Sequence, residues 1–180
     1  MSAFLLFFRF IFTWTLFITT HKVLAFPNGA PLQSCHDLLP QHPMPAQNSV
    51  APYKLIVKPL IKDQNNVGLQ ISVEGSGTDQ FREFFHLAGF LIQVRDDATG
   101  RFVGKCSNVP SLSKSACNSR AAVTHTDNGQ KAISELQFIW EPLAGELQSP
   151  ISVRVYATFV KSAALYWTPI ASMPILISPL

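Results

Sequence analysis

The sequence lacks the short motifs that mark many enzyme active sites. It contains no Gly-x-Ser-x-Gly, no glycine-rich phosphate loop and no His-Glu-x-x-His. It also has no Cys-x-x-Cys, and its cysteines do not have the close spacing that is typical of zinc sites. No Asn-x-Ser/Thr acceptor for N-glycosylation occurs either. We therefore expect no enzyme activity, no cofactor and no bound metal.

A membrane-spanning run is also missing. The apolar core of residues 10–18 is shorter than the roughly 20 residues that a transmembrane helix needs. Residues 1–25 are instead typical of a secretory signal, with Arg9 as the positive charge and Val23-Leu24-Ala25 before the cleavage site. We predict cleavage before Phe26 and a secreted, extracellular domain over residues 26–180, without stable membrane insertion. An uncleaved anchor is the alternative.

The predicted domain has a net charge close to zero. Residues 1–25 contain two of the 14 basic residues and none of the 11 acidic residues, so the formal net charge of +3 drops by two when they are removed. This balance gives no case for a nucleic-acid partner or for a polybasic membrane contact. The domain is long enough to bury a sizeable core, and we expect a monomer.

Alternation of apolar and polar residues dominates the chain after residue 52. The clearest case is Val67, Leu69, Ile71 and Val73, which alternate with small or polar residues. Similar patterns predict strands at 53–58 (ending at Pro59), 89–94, 121–125, 136–140, 151–159, 165–167 and 175–177, and a hairpin-like turn at 95–100 leads to Phe102-Val103. A short helical turn is predicted over 81–85, and no long amphipathic helix. Seven or eight short strands predict an all-β fold, an antiparallel immunoglobulin-like β-sandwich.

Two segments are predicted to be irregular. Residues 26–52 contain six prolines, which fix φ and remove backbone donors, so extended chain is expected there. An irregular segment of this length must be attached to the rest of the domain, and a disulfide of Cys35 is the obvious attachment. Residues 104–120, which include Cys106 and Cys117, are predicted to be a surface loop. An exported protein with three cysteines is expected to form one disulfide, and the residues alone leave all three pairings open.

Several short motifs follow one another in order between residues 26 and 172. They are Phe26-Pro27-Asn28-Gly29-Ala30-Pro31, Cys35, Ala51-Pro52-Tyr53, Gly89-Phe90-Leu91-Ile92-Gln93-Val94-Arg95, Val103-Gly104, Cys117, Ala122-Val123-Thr124-His125, Lys131, Trp140-Glu141-Pro142, Ala157-Thr158-Phe159-Val160 and Trp167. In this order they resemble the reeler domain, the N-terminal module of reelin and F-spondin. The chain is most similar to the small secreted insect defence proteins that consist of this domain.

The resemblance implies a role in innate immunity, with antimicrobial activity through binding of microbial surfaces. The alternative is an extracellular-matrix adhesion module that binds glycosaminoglycan or a protein partner. The resemblance also implies a disulfide between Cys35 and Cys117, which are 82 residues apart. Cys106 departs from the family pattern. We expect Cys106 to be a buried free thiol. The alternatives are a disulfide with Cys117 and an intermolecular disulfide.

Two groups of side chains are candidates for a binding surface. They are an aromatic group (Phe81, Phe84, Phe85) and a basic group (Lys54, Lys58, Lys62). If exposed, the aromatic group would form an apolar patch suited to a partner or a membrane surface. The basic group would attract anionic glycans or lipids. The structural alternatives are core packing for the aromatic group and protection of a strand edge against aggregation for the basic group.

The remaining aromatic and titratable residues are expected to be structural. Trp140 and Trp167 lie on or near apolar strand faces, which predicts core positions and not a sugar-binding platform. His36 and His125 are expected to hydrogen-bond loops to strands. A catalytic pair of Cys106 and His125 is disfavoured, since no third orienting residue or oxyanion signature accompanies it.

Overall fold

The computed structural model describes residues 26–63, 66–75 and 86–179. One short helix, α1 (Ser34–Asp37), and one 3₁₀ turn (Ile133–Glu135) occur in them. The strands in chain order are β1 (Tyr53–Asp63), β2 (Asn66–Gly75), β3 (His86–Leu87), β4 (Gly89–Asp96), β5 (Lys105–Ser107), β6 (Ser113–Ala116), β7 (Ser119–His125), β8 (Lys131–Ala132), β9 (Gln137–Glu141), β10 (Ile151–Ser162), β11 (Leu165–Ala171) and β12 (Ile175–Ile177). The predicted signal segment and the predicted helical turn at 81–85 lie outside the described residues.

Two antiparallel sheets form the body of the domain. One has the strand order β1-β2-β9-β5, and the other has the order β11-β10-β4-β7-β6, with β12 also paired to β10. β3 and β8 form a separate two-stranded ribbon. The predicted all-β antiparallel fold is confirmed. It contains more strands than the seven or eight expected, because five of them are only two to four residues long and carry little sequence pattern.

The hydrophobic core lies between the two sheets, because alternate residues of the long strands point inward. Val153, Val155, Ala157 and Phe159 of β10 are all fully buried, and inward-facing residues of β2, β4 and β9 meet them. Trp140 and Trp167 belong to this core, as predicted. Their indole N–H groups donate to the Val103 carbonyl at 2.7 Å and to Ser49 Oγ at 3.2 Å, so neither buried donor is left unpaired.

The central strand β4 is buried on both of its faces. Phe90, Ile92 and Val94 point into the core between the sheets, whereas Leu91 belongs to a second apolar cluster with Leu38, Ala116 and Ala122 on the outer face. Residues 26–52 cover that outer face. A strand covered on both sides needs a nearly continuous apolar run, which explains the pattern of residues 89–94.

The segment 26–52 is tied to the outer face at several points. The disulfide Cys35–Cys117 is present, as the family resemblance implied. The Cys35 carbonyl also accepts hydrogen bonds from Gln93 Nε2, at 3.2 Å, and from the Arg95 guanidinium. The expectation that this segment is wholly extended is wrong, because Ser34–Asp37 forms one helical turn that presents Cys35 to the sheet.

Two further expectations about strand boundaries are wrong. β1 does not stop at Pro59 but continues to Asp63, because it is an edge strand and an edge tolerates a residue without a backbone donor. Residues 104–120 are not only a loop, since they contain β5 and β6. Both strands lie at sheet edges, where polar residues that face solvent obscure the alternating pattern.

Candidate ligand-binding pocket

The residues predicted to bind surfaces are only partly described. Lys54 and Lys58 are exposed and lie on the same face of β1. Lys54 is opposite Glu74 on β2, an acidic neighbour that offsets the positive charge of the basic group. The aromatic group and the side chain of Lys62 lie outside the described residues. The structure shows a different candidate site, which lies where the N-terminal segment meets the start of β4 and the ends of β7 and β10.

The chain enters this region through a glycine that no other residue can replace without strain. Gly29 has a φ of +109°, and a Cβ on it would lie 2.8 Å from Thr124 Cγ2 and 2.9 Å from the His125 carbonyl oxygen. The close approach lets the Ala30 N–H donate to Thr124 Oγ1 at 2.9 Å. Thr124 Oγ1 in turn donates to the Phe90 carbonyl at 2.7 Å. The Gly29-Ala30 motif is therefore a docking motif for the end of β7.

His125 fixes the very start of the described chain. Its Nδ1 accepts a hydrogen bond from the Phe90 N–H at 3.1 Å, so the ring proton lies on Nε2, which donates to the Phe26 carbonyl at 3.2 Å. Burial lowers the pKa of His125 and keeps the ring neutral. Gly89 makes room for the ring, since a Cβ there would lie 2.8 Å from His125 Cε1. The structural role expected for His125 agrees with this geometry.

Cys106 and His125 do not form a catalytic pair. Cys106 lies on β5 in the four-stranded sheet, and His125 ends β7 in the other sheet. Cys106 is a free thiol, as expected, but it is partly and not fully buried; it packs against the core, and burial raises its pKa to about 12. A thiol with such a pKa contains almost no nucleophilic thiolate at neutral pH.

Beside the His125 anchor lies an apolar pocket of about 230 Å³. Its walls come from residues 26–42, from residues 88–91 at the start of β4, from residues 125–128 at the end of β7 and from residues 158–163 at the end of β10. The side chains that line it are mostly apolar and include Phe26, Leu38, Phe90, Leu91 and Val160. No Asp, Glu, Lys or Arg is among the lining residues.

Most polar side chains in the wall are already used by the protein. Thr158 Oγ1 donates to the Leu38 carbonyl at 2.6 Å, and Ser34 Oγ donates to the Leu39 carbonyl. His42 differs, because no described residue forms a hydrogen bond with its ring, and its Nδ1 is buried without a partner. The ring packs edge-on against Tyr166 at 5.5 Å, and burial lowers its pKa, which favours the neutral form.

The pocket is concave and mostly apolar, which are general features of small-molecule sites. Within residues 26–63, 66–75 and 86–179, no three His, Cys, Asp or Glu side chains are grouped closely enough to hold a metal ion. In the same residues no helix is long and apolar enough to cross a membrane. Sequence reasoning missed the pocket, although Ala30, Phe90, His125 and Val160 all lie in the motifs of the family resemblance.

With this geometry established, comparison with known proteins identifies the class. The family model for the Reeler domain matches residues 33–179, so the chain belongs to the reeler-domain family. The resemblance found in the sequence is therefore confirmed. The human F-spondin reeler domain has a similar fold, with a TM-score of 0.50 and 13% sequence identity over 76% of this chain and 94% of that one.

Two insect relatives narrow the comparison within the family. A Bombyx mori protein named "Putative defense protein" is 32% identical over 163 residues, which cover 89% of this chain and 90% of that protein. Defense protein l(2)34Fc of Drosophila melanogaster is 29% identical over 150 residues, which cover 81% of this chain and 85% of that protein. Both alignments cover more than four fifths of each chain.

Proposed function

We propose that the chain is a secreted defence protein that acts by binding microbial surface components and not by catalysis. The observation that carries the defence role is the similarity to insect proteins named for defence, which extends over most of both chains. Secretion is supported by the signal-like composition of residues 1–25 and by the disulfide, since disulfides persist mainly in oxidising, extracellular compartments.

Binding, and not catalysis, is supported by how the reactive side chains are used. His125 has both ring nitrogens bonded to backbone groups, so it has no free nitrogen for proton transfer. Lys131 has its ammonium enclosed by backbone carbonyls. Cys106 is protonated at neutral pH because its pKa is about 12. Each of the three groups is engaged in holding the fold.

Co-sedimentation with intact microbes tests the proposal. Purified protein is mixed with bacterial or fungal cells in buffer of physiological ionic strength, and the bound fraction in the pellet is measured. We expect saturable binding, with growth inhibition measured separately. No binding to any cell type, together with salt-sensitive binding to immobilised heparin, would contradict the proposal and favour a matrix adhesion module.

Paired charge reversals test where the contact lies. The double variant Lys54→Glu/Lys58→Glu removes the described part of the basic group on β1. Arg101→Glu/Lys161→Glu reverses the same amount of charge at two exposed positions outside β1, one in the loop after β4 and one on β10, and serves as the matched control. We expect weaker microbial binding for the β1 variant than for its control. Equal binding by the two variants would exclude the basic group as the contact.

A further inference from the structure

The apolar pocket is built on a rigid frame, so it exists before any ligand arrives. One wall, residues 26–42, is fixed by the Cys35–Cys117 disulfide and by the Phe26 carbonyl on His125 Nε2. The Tyr166 hydroxyl holds the next stretch by donating to the Met44 carbonyl at 2.8 Å. The opposite walls are strands of the six-stranded sheet. A preformed cavity avoids much of the ordering cost that binding otherwise incurs.

The chemistry of the walls selects a neutral and largely apolar occupant. A buried carboxylate or ammonium needs a partner charge or several hydrogen bonds, and the lining offers no charged side chain. Ser34, Thr158 and His125 have their polar atoms engaged with backbone carbonyls or amides. An alkyl chain or a hydrocarbon ring matches the remaining surface.

His42 is the partly buried polar side chain of the pocket that stays unpaired, whereas Asn128 is an exposed lining residue and Ser162 Oγ accepts a hydrogen bond from the Ala164 N–H. The described residues leave the hydrogen-bonding capacity of the His42 ring unused. Because His42 lines the pocket, its ring is within reach of a molecule bound there. A neutral imidazole nitrogen pairs well with a single hydroxyl group, which both donates and accepts.

The volume limits the size of the occupant. An apolar cavity of about 150 Å³ holds one benzene ring, so a pocket of 230 Å³ has room for roughly nine non-hydrogen atoms. A straight-chain alcohol of eight carbons has that number of atoms. A whole phospholipid or a folded peptide is far too large to be enclosed.

We propose that the pocket between the N-terminal segment and the ends of β4 and β10 binds a small neutral alcohol, with its hydrocarbon part against the apolar wall and its hydroxyl on His42. The site lies away from the basic group on β1, and the proposal goes beyond the defence role and does not rest on it. The ligand is enclosed singly, so binding is expected to be one to one.

Titration calorimetry with 1-octanol as the probe tests the proposal on protein expressed from the full chain and purified, with its N-terminus determined by mass spectrometry. We expect saturable one-to-one binding. Octanoate, the anion of similar length, is expected to bind at least about tenfold more weakly, because its carboxylate finds no charged partner in the wall. Equal affinity for octanoate, or the absence of saturable octanol binding, would overturn the proposal.

A pair of matched substitutions locates the site. Val160→Phe fills the pocket and is expected to weaken octanol binding at least about tenfold, by steric exclusion. Val50→Phe makes the same change at a position that is 92% exposed and outside the pocket, and it is expected to bind like the wild type. If Val160→Phe fails to fold, Ala163→Phe fills the pocket from the exposed turn between β10 and β11. Equal affinities in the filled variant and in the control would overturn the proposal.

His42→Phe tests the hydroxyl contact separately from the pocket. Loss of one hydrogen bond is expected to weaken octanol binding roughly three- to tenfold, while toluene, which has no hydroxyl, keeps its affinity. Amide chemical shifts of Gly89 and Val160 are expected to move on addition of either probe to the wild type. An equal loss for octanol and toluene would show that His42 only shapes the wall and would overturn the hydroxyl assignment.

Discussion

Among single residues, Lys131 combines a full charge with burial, being only 1% exposed. Its Nζ donates to the carbonyls of Asp127 and Gly129, each at 2.6 Å, and to the Ala88 carbonyl at 3.4 Å. It also lies 3.1 Å from the Asp127 carboxylate. The buried ammonium thus holds the loop after β7 against the start of β4 by hydrogen bonds to three backbone carbonyls.

Lys131→Met should be strongly destabilising. Removing the buried ammonium takes the shared donor from three carbonyls and leaves the Asp127 carboxylate without its charge partner, so we expect the free energy of unfolding to fall by roughly 3 kcal/mol in urea denaturation. Asp127→Asn is the matched control. It removes the charge partner but keeps an oxygen acceptor, so a much smaller shift of the midpoint is expected. Similar losses in the two variants would mean that the ion pair, and not the carbonyl cage, provides the stability.

His125 should make stability depend on pH. Its pKa is lowered by burial in the folded state, whereas the unfolded chain binds the proton near the ordinary value of 6.5. The stabilisation is therefore fully present above about pH 6.5 and is lost as the pH falls towards the lowered folded pKa. Protonation of Nδ1 would also set a donor against the Phe90 N–H. His42, whose pKa is lowered too, adds to the same trend.

The measurement is the free energy of unfolding at a series of pH values between about 5 and 8. His125→Gln is expected to flatten the slope relative to the wild type, whatever its own cost in stability. His36→Gln, at an exposed position in α1, is the control and should keep the wild-type slope. An unchanged slope in His125→Gln would assign the pH dependence to other groups.

Cys106 should be almost inert in the folded protein. Because burial raises its pKa to about 12, we expect very slow reaction with iodoacetamide near pH 8 and fast reaction after unfolding in urea. Intact mass measured with and without reduction should show one modified thiol and one disulfide. Rapid modification of the native protein, or a disulfide-linked dimer, would contradict the assignment of a partly buried free thiol.

At the scale of elements, the N-terminal segment depends on its covalent tie. The Cys35–Cys117 bridge closes a loop of 82 residues, and in the chain-entropy model such a crosslink stabilises the fold by about 4–5 kcal/mol. We expect Cys35→Ala/Cys117→Ala to lose about this much in urea denaturation and to become cleavable by protease within residues 26–52. Cys106→Ala is the control and should keep the segment protected. Equal protection in both variants would mean that the hydrogen bonds of Phe26, Ala30 and Cys35 suffice.

The sequence predicted best those strands whose apolar pattern follows directly from burial of their side chains in the core. β2, β4 and β10 were found because their inward residues alternate or run together without interruption. The edge strands β5 and β6 were missed, because only one neighbour and one buried face constrain their residues. The helical turn Ser34–Asp37 was missed because prolines dominate the surrounding composition.

The pocket was beyond prediction for a different reason. Its walls come from four stretches that are dozens of residues apart, and only tertiary packing brings Leu38, Phe90 and Val160 together. Sequence patterns report whether a residue is buried, and they do not report which buried residues leave a gap between them. The anchor residues Thr124 and His125 were at least visible as part of a family motif, and His125 was expected to be structural.

At the scale of the whole molecule, the edge strand β1 is the place where two copies of the domain could pair with each other. β1 is an edge strand of eleven residues and contains the exposed pair Lys54 and Lys58, followed by Pro59. Charged residues and proline are the usual means by which an edge is kept from pairing with another chain. This gives the described lysines of the basic group a role in solubility that is independent of any ligand.

Lys54→Thr/Lys58→Thr should therefore make the protein self-associate. Threonine favours strands and removes the charge, so β1 of one molecule becomes able to pair with β1 of another. Sedimentation velocity over a range of concentrations should show a single monomeric species for the wild type and growing larger species for the variant. Arg101→Thr/Lys161→Thr lowers the net charge equally at exposed positions away from β1, and it should remain monomeric. Association of both variants would point to net charge in general, and a monomeric β1 variant would mean that Pro59 and the twist of the strand protect the edge without the lysines.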